Sequence, residues 1–267
     1  MPPTALLASK TAAITGGTTG IGRAITLGFL TQGCNVAVNH LGLESDAKHL
    51  SSLLEEARAI KEKDAGAGEL IEVQGDISLP ETGKELVAKA VERWGGLDVF
   101  VSNAGVCKFA EVLDMEPNLF ASTVSINLNG AFYACQAAAR QMASQPNRGG
   151  SIIGISSISA LVGGGQQVHY TPTKAGVTSM MQSMAVALGK YGIRCNALLP
   201  GTIRTQLNEH DLVGEKERYM EGRIPLGRIG ETADMVGPAV FLACGELSGF
   251  VNGAQLLVDG GMFVNLQ

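Results

Sequence analysis

A tyrosine and a lysine stand four residues apart in the stretch HYTPTKAG, as Tyr170 and Lys174. Residues four apart lie on one face of a helix, so we expect the phenol and the ammonium to point the same way. A free phenol has a pKa of about 10 and is a poor base at neutral pH, but a neighbouring cation favours its phenolate. Such a phenolate can accept the proton of an alcohol. An isolated tyrosine and lysine at this spacing more often have no function. The rest of the chain therefore has to show whether these two are catalytic.

A glycine-rich turn near the amino terminus has the composition of a phosphate site. The first apolar run, TAAIT (11–15), leads directly into TGGTTGIG, in which Gly16, Gly20 and Gly22 follow the pattern GxxxGxG. Glycines let the backbone turn tightly and approach a pyrophosphate, while the amides and positive dipole end of the following helix face the anion. An isolated glycine motif can be a mere turn. Its place after a strand and before a helix favours the binding function.

Six further apolar runs recur along the chain between segments with helical periodicity. They are NVAVN (35–39), LIEVQ (70–74), LDVFVSN (97–103), SIIGIS (151–156), IRCNALL (193–199) and AQLLVD (254–259). Nearly continuous apolar strands are typical of a parallel sheet that is buried on both faces. We therefore predict one α/β domain over residues 1–267, a doubly wound parallel (Rossmann) sheet of about seven strands with helices on both faces. The segment at about 206–230 is charged, contains several glycines and interrupts the alternation of strands and helices. We interpret it as a substrate lid.

The amino-acid composition and the net charge argue against several other classes of protein. The 267 residues are 45% hydrophobic and carry a net charge of −5 without a basic block, which argues against nucleic-acid or acidic-membrane partners. The start, MPPTALLASK, has neither a charged leader nor a long apolar core, and we expect a cytoplasmic protein without a membrane span. Five scattered cysteines and four histidines lack disulfide or metal-ligand spacing, so we expect mostly buried, reduced thiols and no metal. We expect His169 to be an exposed residue at a helix start.

The GxxxGxG spacing differs from the usual GxGxxG fingerprint and resembles that of the short-chain dehydrogenase/reductase family. Two more blocks agree with this family: GDIS, which contains Asp76, and SNAG (102–105), which matches the family's NNAG. The resemblance implies an NAD(P)-dependent oxidoreductase. The cofactor-binding residues that it implies are Gly16, Thr18, Gly20, Ile21, Gly22, Asn39, His40, Asp76, Ile77, Asn103, Ala104, Gly105, Tyr170, Lys174, Pro200, Gly201, Ile203 and Thr205.

The end of the second strand bears on the choice of coenzyme. Members of the family often carry a carboxylate there, which binds the adenosine ribose and repels a 2′-phosphate. Asn39 occupies this position and is followed by His40, with no arginine or lysine immediately beside them. A neutral amide neither excludes nor strongly attracts the phosphate. We therefore expect both NAD and NADP to bind, with a lean to NADP and with Thr18 and His40 as candidate phosphate contacts.

The same resemblance gives the tyrosine and the lysine a catalytic setting. Ser157 lies thirteen residues before Tyr170, which is the family's spacing, and Asn127 matches the family's helix asparagine. The match implies that Tyr170 takes the alcohol proton while Lys174 lowers its pKa and holds the nicotinamide ribose. Ser157 would steady the reacting oxygen, and Asn127 would anchor a water that links the lysine to solvent.

The loop before Tyr170 is unusually polar, which indicates a substrate with several hydroxyl groups rather than a lipid or steroid. Candidate substrate contacts, each of which could also be ordinary loop polarity, are Ser157, Ser159, Gln166, Gln167, Tyr170, Thr202 and Asn208. Longer blocks, among them GSIIGISSISALVGG and VNGAQLLVDGG, resemble the L-rhamnose 1-dehydrogenases within the family. This resemblance implies oxidation of the C1 hydroxyl of L-rhamnose, a small aldose, to its lactone, with L-lyxose and L-mannose as secondary substrates.

Two other functions remain open on the sequence. A reductase of 3-oxoacyl thioesters, or an enzyme acting on another sugar or polyol, would keep every catalytic residue and change only the pocket. A non-catalytic nucleotide-binding regulator would usually have lost part of the Ser-Tyr-Lys set, which this chain retains. Members of the family commonly form homotetramers through the helices that carry Asn127 and Tyr170. Small and methionine side chains in these helices fit such pairing, so we expect a homotetramer.

Overall fold

The backbone forms one parallel sheet with helices packed on both of its faces. The computed structural model describes residues 5–147 and 149–266, so residues 1–4, Arg148 and Gln267 of the predicted domain, including the beginning of MPPTALLASK, lie outside the described residues. Within that part, seven parallel strands lie in the order β3-β2-β1-β4-β5-β6-β7. They are β1 (Thr11–Thr15), β2 (Asn35–His40), β3 (Leu70–Gln74), β4 (Val99–Ser102), β5 (Gly150–Ile155), β6 (Ile193–Pro200) and β7 (Gln255–Val258).

The strands fall on the seven apolar runs, so the predicted doubly wound sheet is confirmed. The helices are α1 (Gly20–Thr31), α2 (Ala47–Lys63), α3 (Pro80–Trp94), α4 (Pro117–Val124), α5 (Ala131–Ser144), α6 (Thr171–Leu188), α7 (Gly214–Gly222), α8 (Val236–Ala243) and α9 (Gly245–Ser248). A π-helical segment, Ser125–Gly130, joins α4 to α5. None of the helices in the described ranges combines the length and the apolar character that a membrane span would need.

Both faces of the sheet are covered, which explains why its strands are apolar at successive positions. In β4, Val99 and Val101 belong to the core cluster that contains residues of α1, α2 and α8. Phe100, between them, belongs to the cluster with residues of α3, α5 and α6. Successive side chains of a strand point to opposite faces, so a strand between two helical layers has no polar side.

The strand order reverses at β1, which has β2 on one side and β4 on the other. Ligands of open α/β sheets bind at the carboxyl ends of the strands around such a reversal. Gly16 follows β1, His40 ends β2, Asn103 follows β4 and Ser157 lies just beyond β5. The topology alone therefore brings residues from distant parts of the chain to one edge.

Helices α3 and α5 approach each other closely because α3 has a glycine at the contact. A Cβ added to Gly83 would lie 2.7 Å from the Cα of Ala134. Real Cβ atoms do not come this close to a neighbouring backbone, so any side chain at this position would push α3 away from α5.

We expect Gly83→Ala to destabilise the protein, even though alanine is a better helix former than glycine by about 1 kcal/mol. Overpacking of a close contact costs roughly 1–3 kcal/mol, which exceeds this gain. The melting temperature measures the balance. Gly222→Ala, at the end of α7, is a suitable control, because no described atom lies within 4 Å of the added Cβ. A Gly83→Ala protein that melts at or above the wild-type temperature would contradict the proposed contact.

Candidate active site

The carboxyl edge of the sheet opens into a cleft with a volume of about 1060 Å³. Most of the predicted coenzyme and substrate residues line it, namely Gly16, Thr18, Gly20, Ile21, Asn39, His40, Asp76, Ile77, Asn103, Ala104, Gly105, Ser157, Ser159, Gln167, Tyr170, Lys174, Pro200, Gly201, Thr202, Ile203, Thr205 and Asn208. Gly22 and Asn127 are not part of this lining and support it from behind. Among the described residues, no group of three or more histidine, cysteine, aspartate or glutamate side chains could hold a metal ion.

The turn after β1 is so tight that side chains are excluded from it. Gly16 and Gly20 have φ angles of 62° and 52°, in the left-handed region that favours glycine. A Cβ on Gly22 would collide with the carbonyl oxygen of Gly16. Helix α1 begins at Gly20, so its first amides and its positive dipole end lie at the turn. This cradle, which a single Cβ would fill, fits the pyrophosphate of a dinucleotide.

Thr15, which was not among the predicted site residues, ties the glycine turn to the loop after β4. Its Oγ1 accepts the backbone N–H groups of Asn103 at 2.9 Å and of Ala104 at 3.0 Å. Asn103 also binds the turn through its side chain, because its Nδ2 donates to the carbonyl oxygens of Thr15 and Gly16, each at 3.0 Å. The available signal was the position of Thr15, at the end of β1 and next to the motif.

The side chains at the end of β2 are held by neighbouring strand β3. Asn39 Nδ2 donates to the carbonyl oxygen of Gly75 at 2.9 Å, which leaves its Oδ1 as the acceptor for other partners. His40 Nε2 lies 2.7 Å from Glu72 Oε2. An acceptor suits a ribose hydroxyl better than a phosphate. Asn39 therefore gives no support to the expected lean toward NADP.

Tyr170 and Lys174 lie at the start of α6 and both line the cleft. Pro172, between them, stands in the first turn of the helix, where its missing N–H would have no intrahelical partner. Lys174 Nζ donates to the carbonyl oxygen of Ile155 at 3.0 Å and lies 5.5 Å from the centre of the Tyr170 ring. Tyr170 and Lys174 therefore share a face of the helix, as their spacing predicted. The Lys174 ammonium lies over the ring of Tyr170.

Burial shifts both groups toward their neutral forms. It raises the pKa of Tyr170 above its ordinary value, a charge on Cys107 would act in the same direction, and a hydrogen bond with Ser157 opposes them. Burial also lowers the pKa of Lys174 to about 8. Burial thus dominates the pKa of Tyr170 in the protein alone. The expected lowering combines Lys174 with the positive charge of an oxidised nicotinamide, and it stays a prediction.

Asn127 braces the loop after β4 from the π-helical segment. Its Oδ1 accepts the N–H of Val106 at 2.8 Å, and its Nδ2 donates to the carbonyl oxygen of the same residue at 2.9 Å. Nδ2 also lies 3.3 Å from Thr173 Oγ1, which donates to the Tyr170 carbonyl at 2.7 Å. Single π-helical turns often occur at functional sites. Asn127 thereby connects the β4 loop to the start of α6, and its role in a water relay stays a prediction.

A chain of polar groups forms the wall of the cleft beside Tyr170. The backbone N–H of Ser159 donates to Ser157 Oγ at 3.1 Å, and Ser159 Oγ donates to Gln167 Oε1 at 3.4 Å. Gln167 Nε2 donates to Cys107 Sγ at 3.6 Å. Cys107 has no place in any predicted motif, so the sequence analysis missed it.

Other candidate substrate contacts use their polar groups to hold the protein together. Asn208 caps a turn, because its Nδ2 donates to the Ile203 carbonyl at 2.8 Å and its Oδ1 accepts the Thr205 N–H at 2.9 Å. Gln166 Nε2 donates to Glu111 Oε1 at 2.7 Å. Thr202 Oγ1 lies 3.8 Å from the sulfur of Met262. The described carboxyl-terminal residues Met262, Phe263, Asn265 and Leu266 also line the cleft, which no local sequence signal indicated.

The segment at about 206–230 contains α7 and is anchored by an apolar cluster. Leu212, Ile224 and Ile229 are buried together with Ile158, next to the end of β5, and with Met262. The segment therefore packs against both the polar loop and the carboxyl-terminal region. Its movement as a lid stays a prediction.

His169 is fully buried, at 0% exposure, whereas the sequence analysis expected an exposed residue. Neither of its ring nitrogens has a hydrogen-bond partner among the described residues. The loop before α6 is joined to the loop after β4 through the Ala110 N–H, which donates to the Gln166 carbonyl at 3.1 Å. The start of α6 is therefore an interior position, and helical periodicity alone does not show this.

We expect Lys174→Met to be more stable than the wild type at pH 7, although it removes the proposed catalytic ammonium. Burial disfavours the charged lysine, so it lowers the free energy of unfolding of the wild type. This destabilisation is complete below about pH 8, where the folded protein holds a charged lysine. It disappears as the pH rises to 10.5, where the lysine of the unfolded chain is losing its proton too. The gain should be on the order of 1–2 kcal/mol, because the lost bond to Ile155 offsets part of it. Melting temperatures at pH 7, 8.5 and 10 measure the difference, which should shrink at the higher values. Exposed Lys190→Met is the control, and an equal trend in both variants would disprove the explanation.

Comparison with known proteins agrees with this geometry. A family model described as Enoyl-(Acyl carrier protein) reductase matches residues 16–263. The L-rhamnose-1-dehydrogenase of Scheffersomyces stipitis is 61% identical over 99% of this chain and 100% of that protein. The L-rhamnose 1-dehydrogenase (NAD(P)(+)) of Sphingomonas sp. is 52% identical over 98% and 99%. A solved short-chain type dehydrogenase/reductase from Mycobacterium marinum is 32% identical, covers 97% of both chains and superposes with a TM-score of 0.87. The chain therefore belongs to the short-chain dehydrogenase/reductase family.

Proposed function

We propose that the protein oxidises the C1 hydroxyl of L-rhamnose to the lactone, with NAD or NADP as hydride acceptor. The observation that carries this proposal is the 61% identity, over 99% of this chain and 100% of the relative, with the L-rhamnose-1-dehydrogenase of Scheffersomyces stipitis. The wall of hydroxyl and amide groups formed by Ser157, Ser159 and Gln167 suits a substrate with several hydroxyl groups.

The chain's own residues supply binding, orientation and proton transfer. When bound, the coenzyme accepts the hydride, and the positive charge of its oxidised ring favours a phenolate nearby. Tyr170 takes the proton of the C1 hydroxyl, and Ser157, whose side chain opposes the rise in the Tyr170 pKa, orients the sugar oxygen. Lys174 holds the nicotinamide ribose, and its pKa of about 8 lets it exchange a proton near neutral pH. Asn127 and Lys174 both approach Gly105, and Asn127 would anchor the water that carries the proton from the lysine to solvent.

Both coenzymes are expected to serve the enzyme. Thr18 and His40 remain the candidate contacts of a 2′-phosphate, while Asn39 offers a hydrogen-bond acceptor to a ribose hydroxyl. The relative from Sphingomonas sp. carries NAD(P)(+) in its name. The nearby Arg23 guanidinium is engaged by Glu56 at 2.9 Å, so it is not a free cation for the phosphate. We therefore propose a coenzyme preference below about a hundredfold, which corresponds to roughly 2.7 kcal/mol.

The segment at about 206–230 is the proposed lid of the substrate site. Leu207, Leu212, Lys216, Met220 and Arg223 of this segment line the cleft. Lys216 Nζ lies 5.5 Å from the centre of the Phe109 ring, which belongs to the loop after β4. This contact joins the two sides of the cleft and would have to open when the sugar enters.

A reductase of acyl thioesters is the second candidate function. The description of the matching family model, Enoyl-(Acyl carrier protein) reductase, favours a thioester substrate, although the reduction that it names is that of a carbon–carbon double bond. The same serine, tyrosine and lysine would serve carbonyl reduction, so only substrate assays separate the two functions.

We expect the wild type to reduce both NAD and NADP with L-rhamnose and to show much lower activity toward an acetoacetyl thioester. Tyr170→Phe removes the proton acceptor and should lower kcat/KM by about 10³-fold or more, at an unchanged melting temperature. The measurement is coenzyme absorbance in steady state, with a screen of aldoses that includes L-lyxose and L-mannose. Full turnover by Tyr170→Phe would disprove the mechanism, and a preference for the thioester would disprove the sugar assignment.

We propose that four copies of the chain associate through α5 and α6. Phe132 in α5 is 45% exposed and Val186 in α6 is 87% exposed, so both helices present apolar side chains to solvent. Burying them between subunits would remove this surface from water.

Light scattering coupled to gel filtration should therefore give about four times the chain mass of 27.7 kDa. Val186→Glu should shift the protein to smaller species, because it buries a charge at the contact. Lys190→Glu, an exposed charge reversal on the turn after α6, serves as the control. A wild type that elutes as a monomer would refute the assembly.

A cytoplasmic location is also proposed. All five cysteines are free, and Cys34, Cys135, Cys195 and Cys244 are buried. Unpaired thiols persist in a reducing compartment.

A further inference from the structure

The polar wall beside Tyr170 ends on a sulfur atom. The hydrogen-bonded chain runs from Ser157 through Ser159 to Gln167, and the Gln167 amide then donates to Cys107 Sγ at 3.6 Å. All four residues line the cleft. Cys107 belongs to the loop after β4, so the chain connects the two sides of the cleft next to the reacting groups.

Gln167 needs partners on both sides to keep one position. Its side chain rotates about several bonds, and ordering such a side chain costs conformational entropy. Ser159 Oγ holds the oxygen of the amide, and Cys107 Sγ holds its nitrogen. One hydrogen on Nε2 and one lone pair on Oε1 remain for a further partner, and these groups can bind a sugar hydroxyl.

The surroundings favour a neutral acceptor at position 107. Burial raises the pKa of the Cys107 thiol, so it stays protonated at neutral pH. A negative charge there would raise the pKa of Tyr170 further and oppose the phenolate that the reaction requires. A carboxylate in place of the thiol would therefore hold the Gln167 amide, but it would make the Tyr170 phenolate harder to form.

Cys107 also differs from the other cysteines in its location. The four others are at most 3% exposed and pack in the core clusters, whereas Cys107 is half-buried and belongs to none of the clusters of the described chain. Core packing thus explains the other four cysteines and does not explain Cys107.

We propose that Cys107 is a substrate-positioning residue, whose sulfur holds the Gln167 amide where it binds a hydroxyl group of the sugar beside Tyr170. This inference rests on the proposed function for the identity of the sugar. The hydrogen bond itself does not depend on which hydroxyl compound is bound.

The kinetic test compares Cys107→Ala, Cys107→Ser, Gln167→Ala and the double variant Cys107→Ala with Gln167→Ala. With L-rhamnose, Cys107→Ala should raise the sugar KM about three- to fivefold, while kcat and the coenzyme KM change less. Cys107→Ser keeps an acceptor and should recover most of this loss. In the Gln167→Ala background, Cys107→Ala should have no additional effect, because it acts through the amide. An unchanged KM in Cys107→Ala, or an equal loss in both backgrounds, overturns the proposal.

Crystal structures of the wild type and Cys107→Ala provide a measurement that does not depend on turnover. The Gln167 amide should occupy one position in the wild type and lose it in the variant, with the backbone unchanged. If the amide keeps its wild-type position, the sulfur does not hold it and the proposal is wrong. A wild type that turns over no L-rhamnose would disprove the proposed function alone, and the structural comparison would still decide the role of the sulfur.

Discussion

The active site depends on a buried ammonium group at the carboxyl end of β5. Lys174 is 5% exposed, and its Nζ is satisfied by the carbonyl oxygen of Ile155, the last residue of that strand. Ser156 Oγ donates to the Lys174 carbonyl and so ties the first turn of α6 to the same strand end. Burying a cation costs free energy even when it is hydrogen-bonded, and the lowered pKa of Lys174 reflects this cost. The surrounding fold has to be rigid enough to keep the Lys174 ammonium buried, because its hydration favours an exposed position.

That rigidity comes from bonds between loops that lie far apart in sequence. Thr15 and Asn103 exchange hydrogen bonds between the turn after β1 and the loop after β4. Asn127 then joins the latter loop, at Val106, to the start of α6 through Thr173. The proposed phosphate end and the proposed proton-transfer end of the cleft are therefore joined by one network of hydrogen bonds.

The two ends of the cleft are built from different kinds of groups. At the proposed phosphate end the backbone of Gly16 and Gly20 and the first turn of α1 form the tight turn, in which a Cβ at Gly22 would collide with the backbone. At the proposed substrate end the side chains of Ser159, Gln167 and Cys107 form the wall of the cleft. Backbone contacts suit any member of a family that binds the same coenzyme, whereas side chains can change with the substrate. This division explains why the general motifs of the chain indicate a nicotinamide oxidoreductase without indicating an alcohol.

Much of the fold could be predicted because it follows from local patterns. The seven apolar runs became the seven strands, and GxxxGxG became the turn before α1, since periodicity and glycine content act over a few residues. The shared position of Tyr170 and Lys174 likewise followed from helical spacing.

Other properties of the site were decided by residues that meet only in the folded chain. Burial raises the pKa of Tyr170, and His169 lies in the interior, because neighbours distant in sequence remove these groups from water. The turn from Thr205 to Asn208 uses the amide that appeared available to a sugar, and Cys107 meets Gln167 from a position sixty residues away. The sequence by itself thus determined which elements form and which reactive groups they carry. The tertiary structure decided how those groups are hydrated, charged and paired, since hydration and pairing depend on every element that packs around them.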